Sequence, residues 1–286
     1  MSKIVYLNGE FTPQEDARIS VFDRGFLFGD GVYEVIPVLN GRLVDTDYSV
    51  ERLTRSLAAT RMDWPCSVDA YLAVLRELIS RNRLVEGSVY VQVTRGVAER
   101  DFGFPKNTPV TMMAYTTERK LLDNPLAESG VAVVSVPDWR WQRRDIKSLN
   151  LLAQCMAKQQ AVENGAFEAW MLEDGLVTEG SSSSAFIVKD GRIITRSLTR
   201  AILPGIRRRV ILEAAERNNW EVELRAFSLA EACAADEAFL TSATTLVLPV
   251  VRIDGEPVND GRPGPIAQRL RAHYIERLKD EAGGAQ

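Results

Sequence analysis

The sequence predicts a protein of mixed α+β and α/β class that is built from two domains. The chain has 286 residues, which is long for one compact core and ample for two domains of ordinary size. Segments with strand and helix periodicity are interspersed along both halves. A polar connection at 120–128 contains Asn124-Pro125. We therefore expect a small N-terminal domain over 1–119, a linker over 120–128 and a larger C-terminal domain over 129–286.

Turn chemistry and periodicity predict the elements of the first half. Asn8-Gly9 supplies the positive φ of a type I′ turn, which predicts a hairpin of residues 3–7 and 10–12. Segment 24–31 is rich in glycine but lacks the lysine and βαβ context of a phosphate loop, so we expect a tight loop carrying aromatics toward a cavity. The other expected elements are strands at 32–39, 88–94 and 109–115 and helices at 50–61 and 68–81, the latter capped by Ser67.

The second half is predicted by the same signals. Ser228 and Glu231 form a capping box that opens a short helix, and Gly165 ends a helix at 151–164. The arginine run 207–209 is expected to be a solvated face of its helix. The other expected elements are strands at 131–136, 168–172, 184–188, 192–195, 222–225, 237–241 and 246–253 and helices at 205–218 and 266–278.

Composition and charge restrict the class of function. Hydrophobic residues make up 45% of the chain and charged residues 26%, with a formal net charge of −4. This balance gives no basic footprint for nucleic acid. The sequence has no run of 18 apolar residues and no apolar signal region at its N-terminus. We therefore expect a soluble cytoplasmic protein with small-molecule substrates and no nucleic-acid or membrane partner.

The cysteine and histidine content disfavours several kinds of site. Three cysteines form no disulfide framework, and we expect Cys155 and Cys233 to be small core residues. No Cys/His cluster has the spacing of metal ligands, so no metal is expected. The only histidine is His273, on an arginine-rich helix near the C-terminus. This disfavours a Ser-His-Asp triad, and a general base must then be lysine, a carboxylate, tyrosine or cysteine.

Two short stretches carry residues that suit chemistry on a cofactor. Lys147 lies between apolar flanks just ahead of a helix, where partial desolvation favours a nucleophilic amine. Glu179 precedes a glycine and four serines, in an expected short turn, and a carboxylate there can pair with a protonated ring nitrogen. Alone, each stretch is more often a solvated lysine or a polar turn. Together they suit pyridoxal 5′-phosphate (PLP).

These two stretches resemble those of the fold-type IV, or class IV, PLP-dependent aminotransferases, most closely the D-amino acid transaminases. The likeness extends to segments 21–35, 93–96, 201–206 and 236–242, in the order of that family. It implies a small N-terminal α/β domain and a larger, β-barrel-like C-terminal domain with helices. It also implies that Lys147 forms the Schiff base with PLP and that Glu179 keeps the ring nitrogen protonated.

The resemblance implies further cofactor contacts and two departures from the family. The turn Leu203-Pro-Gly-Ile-Arg207 would grip the phosphate with backbone N–H groups, and Arg52 matches the family's phosphate arginine. The family usually has threonine at the positions of Arg207 and Ala243, so we expect weaker phosphate retention. Ser242, Thr244 or the Arg207 guanidinium are the alternative donors. The implied cofactor-binding residues are Lys147, Glu179, Arg52, Leu203, Ile206, Arg207, Ser242 and Ala243.

Three residues match the family's substrate pocket. Tyr33 matches a pocket tyrosine, although an aromatic on a half-buried strand explains it equally well. Arg100 matches the arginine that binds the substrate carboxylate, for which the guanidinium fork is well suited. The related D-amino acid enzymes have histidine where this chain has Phe102, which predicts weaker carboxylate binding. In relatives this loop enters the neighbouring subunit, so the resemblance implies a homodimer with active sites near the interface.

We therefore expect a PLP-dependent transaminase that converts D-amino acids and 2-oxo acids by a ping-pong mechanism. D-alanine or D-glutamate would be the donor, and pyruvate or 2-oxoglutarate the acceptor. Branched-chain L-amino acid aminotransferases, R-selective amine transaminases and aminodeoxychorismate lyases share the lysine and the glutamate in this family and remain alternatives. An alternative from another class is a non-catalytic protein that binds PLP or a metabolite.

Overall fold

The computed structural model describes residues 2–283, which fall into two compact units. Of these residues, the first unit contains those up to Lys120, Ile146–Asn150 and those from Lys279 onward. The second unit contains Leu121–Asp145 and Leu151–Leu278. The domain limits expected from the sequence, at 119 and 129, stay a prediction. The mixed α/β fold class is confirmed.

The first unit is built on a six-stranded antiparallel sheet with the order β2-β1-β6-β5-β3-β4. Its strands are β1 (Ile4–Leu7), β2 (Glu10–Pro13), β3 (Gly31–Leu39), β4 (Arg42–Leu43), β5 (Gly87–Thr94) and β6 (Thr111–Glu118). The hairpin of β1 and β2 is confirmed, with φ of 47° at Asn8 and 102° at Gly9. Pairing of β1 with β6 joins distant parts of the chain, which local signals do not predict.

Three helices belong to this unit: α1 (Arg24–Phe28), α2 (Thr46–Ala59) and α3 (Val68–Asn82). The Ser67 side chain accepts from Ala70 N, as predicted for the cap of α3. Segment 24–31 does not form the expected loop, because Asp23 caps a short helix and Gly29, at φ 65°, ends it. Apolar side chains of α2, α3 and one sheet face form the core of this unit.

The second unit is built on a nine-stranded sheet with the path β12-β11-β10-β13-β14-β7-β8-β9, and β15 pairs with β14. Its strands are β7 (Val131–Pro137), β8 (Glu168–Glu173), β9 (Leu176–Gly180), β10 (Ser184–Lys189), β11 (Arg192–Thr195), β12 (Val222–Leu224), β13 (Glu237–Ser242), β14 (Leu246–Ile253) and β15 (Glu256–Pro257). Only three residues connect β9, at one edge, to β10, near the other edge. Since so short a connection spans about 10 Å, the sheet must curl into a half-barrel.

Five further helices are present among the described residues: α4 (Leu126–Ser129), α5 (Leu152–Glu163), α6 (Ile206–Arg217), α7 (Leu229–Cys233) and α8 (Pro265–Gly283). The predicted capping box of Ser228 and Glu231 opens α7, and Gly165 has the positive φ expected after α5. None of the described helices is long and apolar enough to cross a bilayer. Within residues 2–283, no group of three or more His, Cys, Asp or Glu side chains has an arrangement that holds a metal ion.

Two expectations about charged residues of the second unit are wrong. Glu179 lies on the strand β9 and not in a turn, because Leu176–Gly180 pairs with β8. Arg207 and Arg208 are each only 3% exposed, so only Arg209 of that run is solvated. Arg208 tolerates burial because its Nη2 donates to the Arg196 carbonyl at 2.8 Å.

The two cysteines expected in the core are exposed. On α5 the buried stripe is formed by Ala157 and Ala161, and Cys155 precedes Ala157 by two positions, about 200° around the helix. On α7 the buried residue is Ala232, and Cys233 follows it into solvent. The apolar residues around each cysteine therefore led to a wrong prediction, because each thiol lies on the exposed face of its helix.

Candidate active site

The segment that carries Lys147 is fixed against strand β3. Tyr33 N donates to the Lys147 carbonyl, and Leu149 N donates to the Gly31 carbonyl, each at 3.0 Å. A Cβ on Gly31 would lie 2.6 Å from the Leu149 side chain and 2.7 Å from the Val93 carbonyl oxygen. Glycine at position 31 therefore lets the segment approach the strand closely enough to form these bonds.

The Lys147 amine lies against an aromatic ring. Its Nζ is 4.1 Å from the centroid of the Tyr33 ring, and the flanking Ile146 and Ser148 are buried. Within the described residues Nζ makes no hydrogen bond or ion pair, and the backbone N–H of Lys147 donates to Ser56 Oγ at 3.4 Å. The structure therefore brings together two residues that the sequence analysis connected only through the family.

Tyr33 is the end of a stack of three tyrosines that crosses β3, β5 and β6. The rings of Tyr33 and Tyr90 are 5.5 Å apart, and those of Tyr90 and Tyr115 are 4.9 Å apart, with interplanar angles of 24° and 21°. Burial raises the pKa of Tyr90 and of Tyr115, so both hydroxyls stay protonated at neutral pH. The stack fixes the plane of the Tyr33 ring beside Lys147.

Arg52 has a carboxylate partner that the sequence analysis missed. Its Nη2 and Nε lie 2.7 and 2.8 Å from the two oxygens of Glu34, a fully buried residue on β3. This bidentate pair joins α2 to the sheet. It also offsets part of the positive charge that would attract a phosphate. The phosphate role of Arg52 stays a prediction.

Arg100 and Phe102 lie on an exposed loop of the same unit. The Arg100 guanidinium carbon is 5.5 Å from the centroid of Phe28 and 5.7 Å from that of Phe102. In the part of the chain that the structure describes, Arg100 makes no ion pair, and no hydrogen bond joins it to Tyr33 or Lys147. Arg100 therefore contacts Phe102 within the chain, but the described structure records no hydrogen bond or ion pair between this loop and Tyr33.

In the second unit, Glu179 belongs to a buried network of charges. Arg140 Nη1 donates to Glu179 Oε1, and Leu203 N lies 3.1 Å from both carboxylate oxygens. Arg140 also binds Asp138 at 2.7 Å, and the Thr178 hydroxyl donates to Asp138 at 2.7 Å. The backbone N–H of Leu203 is thereby placed beside the Glu179 carboxylate, a contact that was not predicted from the sequence.

Burial and neighbouring positive charge have opposite effects on the pKa values of Glu179 and Asp138. Burial raises the pKa of Glu179 above its ordinary value, and Arg140 and Leu203 N–H oppose that rise. Burial also disfavours the charged form of Asp138, but Arg140 and Thr178 hold its pKa below the ordinary value. The two carboxylates share the Arg140 guanidinium and, against the effect of its burial, hold its pKa above the ordinary value. Glu179 would gain from a further cationic group beside it.

Arg140 and Asp138 were not predicted as site residues from the sequence. They lie in Asp138-Trp-Arg-Trp141, directly after strand β7. The side chains of Asp138 and Arg140 are 0% and 6% exposed, whereas both tryptophans are exposed. The alternation of acid, tryptophan, arginine and tryptophan after an apolar strand was the available signal, because alternate residues there face opposite sides.

The serine turn after Glu179 is held by a buried carboxylate. Glu168 accepts hydrogen bonds from Ser181 Oγ at 2.9 Å, from Ser182 N at 2.8 Å and from Ser182 Oγ at 2.6 Å. Ser183 Oγ donates to the same carboxylate. This set of donors fixes the turn and stabilises the carboxylate without a cation.

The start of helix α6 has the chemistry of an anion site. Gly205 is its N-cap and has no side chain that could accept a hydrogen bond from the first N–H groups of the helix. A Cβ on Gly205 would lie 2.6 Å from Ser184 Oγ, so only glycine leaves this approach open. Arg208 Nε, near the same end, is buried with no hydrogen-bond partner in the described structure. Backbone donors, the helix dipole and a buried guanidinium together favour a bound anion.

The end of strand β13 lies on the same side of the second unit. Ser184, which contacts Gly205, is paired with Thr241 in the sheet, and Ser242 and Ala243 follow directly. The Ser242 hydroxyl is 2.8 Å from Thr245 Oγ1, so it is already engaged, and Ala243 is half-buried. Whether these residues contact a cofactor stays a prediction.

Comparison with known proteins identifies the family. The model of the family "Amino-transferase class IV" matches residues 31–253. The chain is 43% identical to a D-alanine aminotransferase of Staphylococcus aureus over 280 residues, which cover 97% of this chain and 99% of the relative.

Solved structures show the same architecture. A T.th. branched-chain amino acid aminotransferase with pyridoxamine 5′-phosphate has a TM-score of 0.89 and 27% identity, covering 97% of this chain and 94% of that chain. The branched-chain amino acid aminotransferase from Thermobaculum terrenum, in its PLP form, has a TM-score of 0.84 and 26% identity, covering 97% of this chain and 94% of that chain.

Proposed function

Because this chain belongs to the class IV aminotransferases, we propose that it is a PLP-dependent transaminase of D-amino acids. D-Alanine or D-glutamate is the amino donor, and pyruvate or 2-oxoglutarate is the acceptor. The observation that carries the substrate class is the 43% identity to a D-alanine aminotransferase over nearly the whole chain, against 27% for the T.th. branched-chain enzyme.

The side chains of this protein suit PLP, which is a dianionic phosphate, an aldehyde and a basic ring nitrogen in one molecule. The uncapped start of α6 and the buried Arg208 Nε suit the phosphate. The Lys147 amine, which makes no ion pair in the described structure, suits the aldehyde. The Glu179 carboxylate, whose pKa is raised by burial, suits a protonated nitrogen. When bound, PLP supplies an electron-withdrawing ring that makes the Cα proton of an amino acid removable.

We assign the transfer of that proton to Lys147. Its Nζ is the only lysine amine in the described structure that lies against the Tyr33 ring, and the fixed backbone on both sides restricts where it can move. The amine removes the proton from Cα of the amino acid and returns a proton to Cα of the 2-oxo acid in the second half-reaction. Tyr33 keeps water from one side of the amine.

Glu179 and Arg140 are the charged residues that we propose for the ring nitrogen of PLP. When PLP is bound, the Glu179 carboxylate would accept a hydrogen bond from the protonated ring nitrogen. Arg140 and Leu203 N hold the carboxylate in one orientation, since they donate to it from fixed backbone and buried positions. Asp138 in turn orients Arg140 through two hydrogen bonds.

Arg100 and Tyr33 are the proposed contacts of the substrate carboxylate, and the protein is proposed to act as a homodimer whose second copy supplies Arg100. An exposed apolar patch beside the Arg100 loop supports the dimer. It comprises Ile19, Val21, Phe22, Phe26 and Val97, which are 46–75% exposed and joined by the bridge between Asp23 and Val97. Free cysteines throughout the described chain support the proposed cytoplasmic location.

Sedimentation velocity tests the dimer. The wild type is expected to sediment as a dimer, and Phe26→Glu to shift the protein toward monomers, because it places a charge within the apolar patch. Leu126→Glu, at an exposed leucine of the second unit, is the matched control and should leave the dimer intact. A monomeric wild type contradicts the proposal.

Steady-state kinetics test the activity. With PLP added, D-alanine and 2-oxoglutarate should give pyruvate, and double-reciprocal plots should be parallel, as expected for a ping-pong mechanism. L-Leucine and R-1-phenylethylamine in place of D-alanine test the two alternative activities. Faster turnover of either one contradicts the proposed substrate class, and PLP binding without any turnover indicates a binding protein.

A further inference from the structure

The Arg100 loop, residues 98–104, presents its arginine between two aromatic rings. The Phe102 ring is 80% exposed and lies 5.8 Å from the Phe28 ring, at an interplanar angle of 46°. The Arg100 guanidinium carbon lies 5.5 and 5.7 Å from the two ring centroids. Distances of this size are typical of cation–π contacts.

Phe28 is itself fixed by α1. It is the last residue of that helix, between the Asp23 cap and Gly29 in the left-handed region. Arg24, at the start of the helix, is buried and pairs with Asp30 at 2.8 Å. The Arg24 guanidinium also lies 4.7 Å from the Phe28 centroid. The helix ends and the Arg24 guanidinium therefore hold the Phe28 ring in place next to Arg100.

Arg24 also holds the backbone of the loop. Its Nη1 donates to the carbonyl of Asp101 at 2.6 Å, directly between Arg100 and Phe102 in sequence. Asp30 has a second cation, Arg95, which binds it at 2.8 and 3.0 Å. Asp30, itself paired with Arg95, holds the Arg24 guanidinium in place. The hydrogen bond from Arg24 therefore fixes the loop backbone at Asp101.

An aromatic partner leaves a guanidinium available in a way that a carboxylate does not. An ion pair would occupy the N–H donors of Arg100, whereas a ring attracts the charge through its face and leaves those donors pointing outward. Arg100 makes no ion pair within residues 2–283. The Phe28 and Phe102 rings are thus the side chains that restrict the Arg100 guanidinium in the described structure.

We propose that Phe102 and Phe28 are positioning residues that hold the Arg100 guanidinium ready for the substrate carboxylate, with Arg24 fixing the loop backbone. This inference rests on the proposed function of Arg100. Phe102 then has a role of its own at the position where the family has histidine: it orients the arginine instead of contacting the carboxylate.

Phe102→Leu tests the proposal, because an exposed ring is removed without disturbing the core. The KM for D-alanine is expected to rise about two- to five-fold, the usual range for one exposed cation–π contact, while kcat stays within about two-fold. Phe102→Tyr keeps a ring face and should restore the KM. In the background of Arg100→Leu, Phe102→Leu should have no further effect on the KM.

Phe104→Leu is the matched control. Phe104 is an exposed ring on the same loop, but it lies over Arg95, at 3.6 Å, and makes no contact with Arg100 among the described residues. Its loss should leave the KM unchanged. An equal rise in KM for Phe102→Leu and Phe104→Leu, or no rise for Phe102→Leu in an active enzyme, overturns the proposal.

Hydrogen exchange of the holoenzyme separates this inference from the proposed function. Backbone amides of residues 98–104 should exchange faster in Phe102→Leu than in wild type, whether or not D-alanine is a substrate. Unchanged exchange overturns the positioning role. Absence of D-alanine turnover in the wild type, with faster exchange in the variant, removes the proposed substrate and leaves the positioning of Arg100 intact.

Discussion

At the scale of single residues, Lys147 and Glu179 have opposite environments. The Lys147 amine is half-buried against one ring and makes no ion pair in the described structure. Such an amine can approach a carbonyl carbon without first breaking a salt bridge. Glu179 is enclosed and shares Arg140 with Asp138, so its charge and orientation depend on one guanidinium.

Replacing Lys147 with alanine should remove nearly all turnover, by a factor of at least about 10²–10⁴, because the proton at Cα then has no base. The fold should survive, since the alanine keeps the backbone bonds to Tyr33 and Ser56. Pyruvate formation from D-alanine measures the first effect and thermal melting the second. Lys106→Ala, at an exposed lysine, is the control. Wild-type rates in Lys147→Ala would show that another group moves the proton.

Arg140→Gln should lower the free energy of unfolding by about 3–5 kcal/mol, because two buried carboxyl groups lose their shared cation. Arg143→Gln is a matched control three residues away. Its pair with Asp145 is partly exposed, so its loss should cost less than about 1 kcal/mol. Urea unfolding at pH 7 measures both. Equal effects of the two substitutions would mean that the Arg140 network contributes no special stability.

At the scale of elements, the proposed cofactor contacts depend on where strands and helices end. Glu179 and Ser184 lie at adjoining ends of β9 and β10, and Gly205 opens α6 against Ser184. Two elements here were not predicted correctly. Glu179 is on a strand because β8 pairs with it, and segment 24–31 forms α1 because Asp23 and Gly29 provide both helix ends.

Ala243→Thr should slow the loss of PLP, because it adds one hydroxyl where Ser242 is already engaged with Thr245. One neutral hydrogen bond contributes about 0.5–1.5 kcal/mol, which corresponds to a two- to ten-fold slower release. Absorbance of PLP released during dialysis against phosphate buffer measures this rate. Ala243→Val has the same shape without the hydroxyl and is the control. Equal release from both variants would show that position 243 does not reach the phosphate.

At the scale of the whole molecule, each of the two compact units contains its own set of candidate residues. The first carries Lys147, Tyr33 and Arg100, and the second carries Glu179 and the start of α6. Neither unit carries every group that the proposed reaction needs. The first unit has the lysine amine, and the second has the carboxylate and the helix start that suits an anion.

Stability of the whole molecule should fall in acid. Burial acts to raise the pKa of Asp30, but Arg95 and Arg24 hold it below its ordinary value of 3.8, and Arg140 does the same for Asp138. A lowered folded-state pKa stabilises the protein above the unfolded value, and this contribution is lost as the pH falls through the folded value. Glu179 acts in the opposite sense, because its raised pKa gives stability at low pH that is lost as the pH rises.

Since at least two carboxyl groups are lowered and one is raised, the free energy of unfolding is expected to decrease below about pH 4. Urea unfolding between pH 7 and pH 3 measures the dependence. Asp30→Asn should make the decrease shallower, because one of the lowered groups no longer titrates. Glu77→Gln, in an exposed pair with Arg81, is the control. Rising stability toward pH 3 would contradict this account.

Features that depend on residues close together in the chain were predictable from the amino-acid sequence alone. The hairpin at Asn8-Gly9, the Ser67 cap and the capping box of Ser228 and Glu231 are all confirmed. Each is decided by hydrogen bonds or backbone angles within four residues, so the local order of residues is enough. The motifs around Lys147 and Glu179 likewise indicated the family, which the family match confirms.

The partners of the candidate residues depend on how distant parts of the chain pack together. Arg140 beside Glu179, Glu34 beside Arg52 and Phe28 beside Arg100 join positions far apart in the chain. For the same reason the sequence wrongly predicted that Arg207 and Arg208 are solvated and that Cys155 is buried. A periodic pattern shows that a helix has two faces, but the packing of distant elements decides which face loses water and which charges then need a partner.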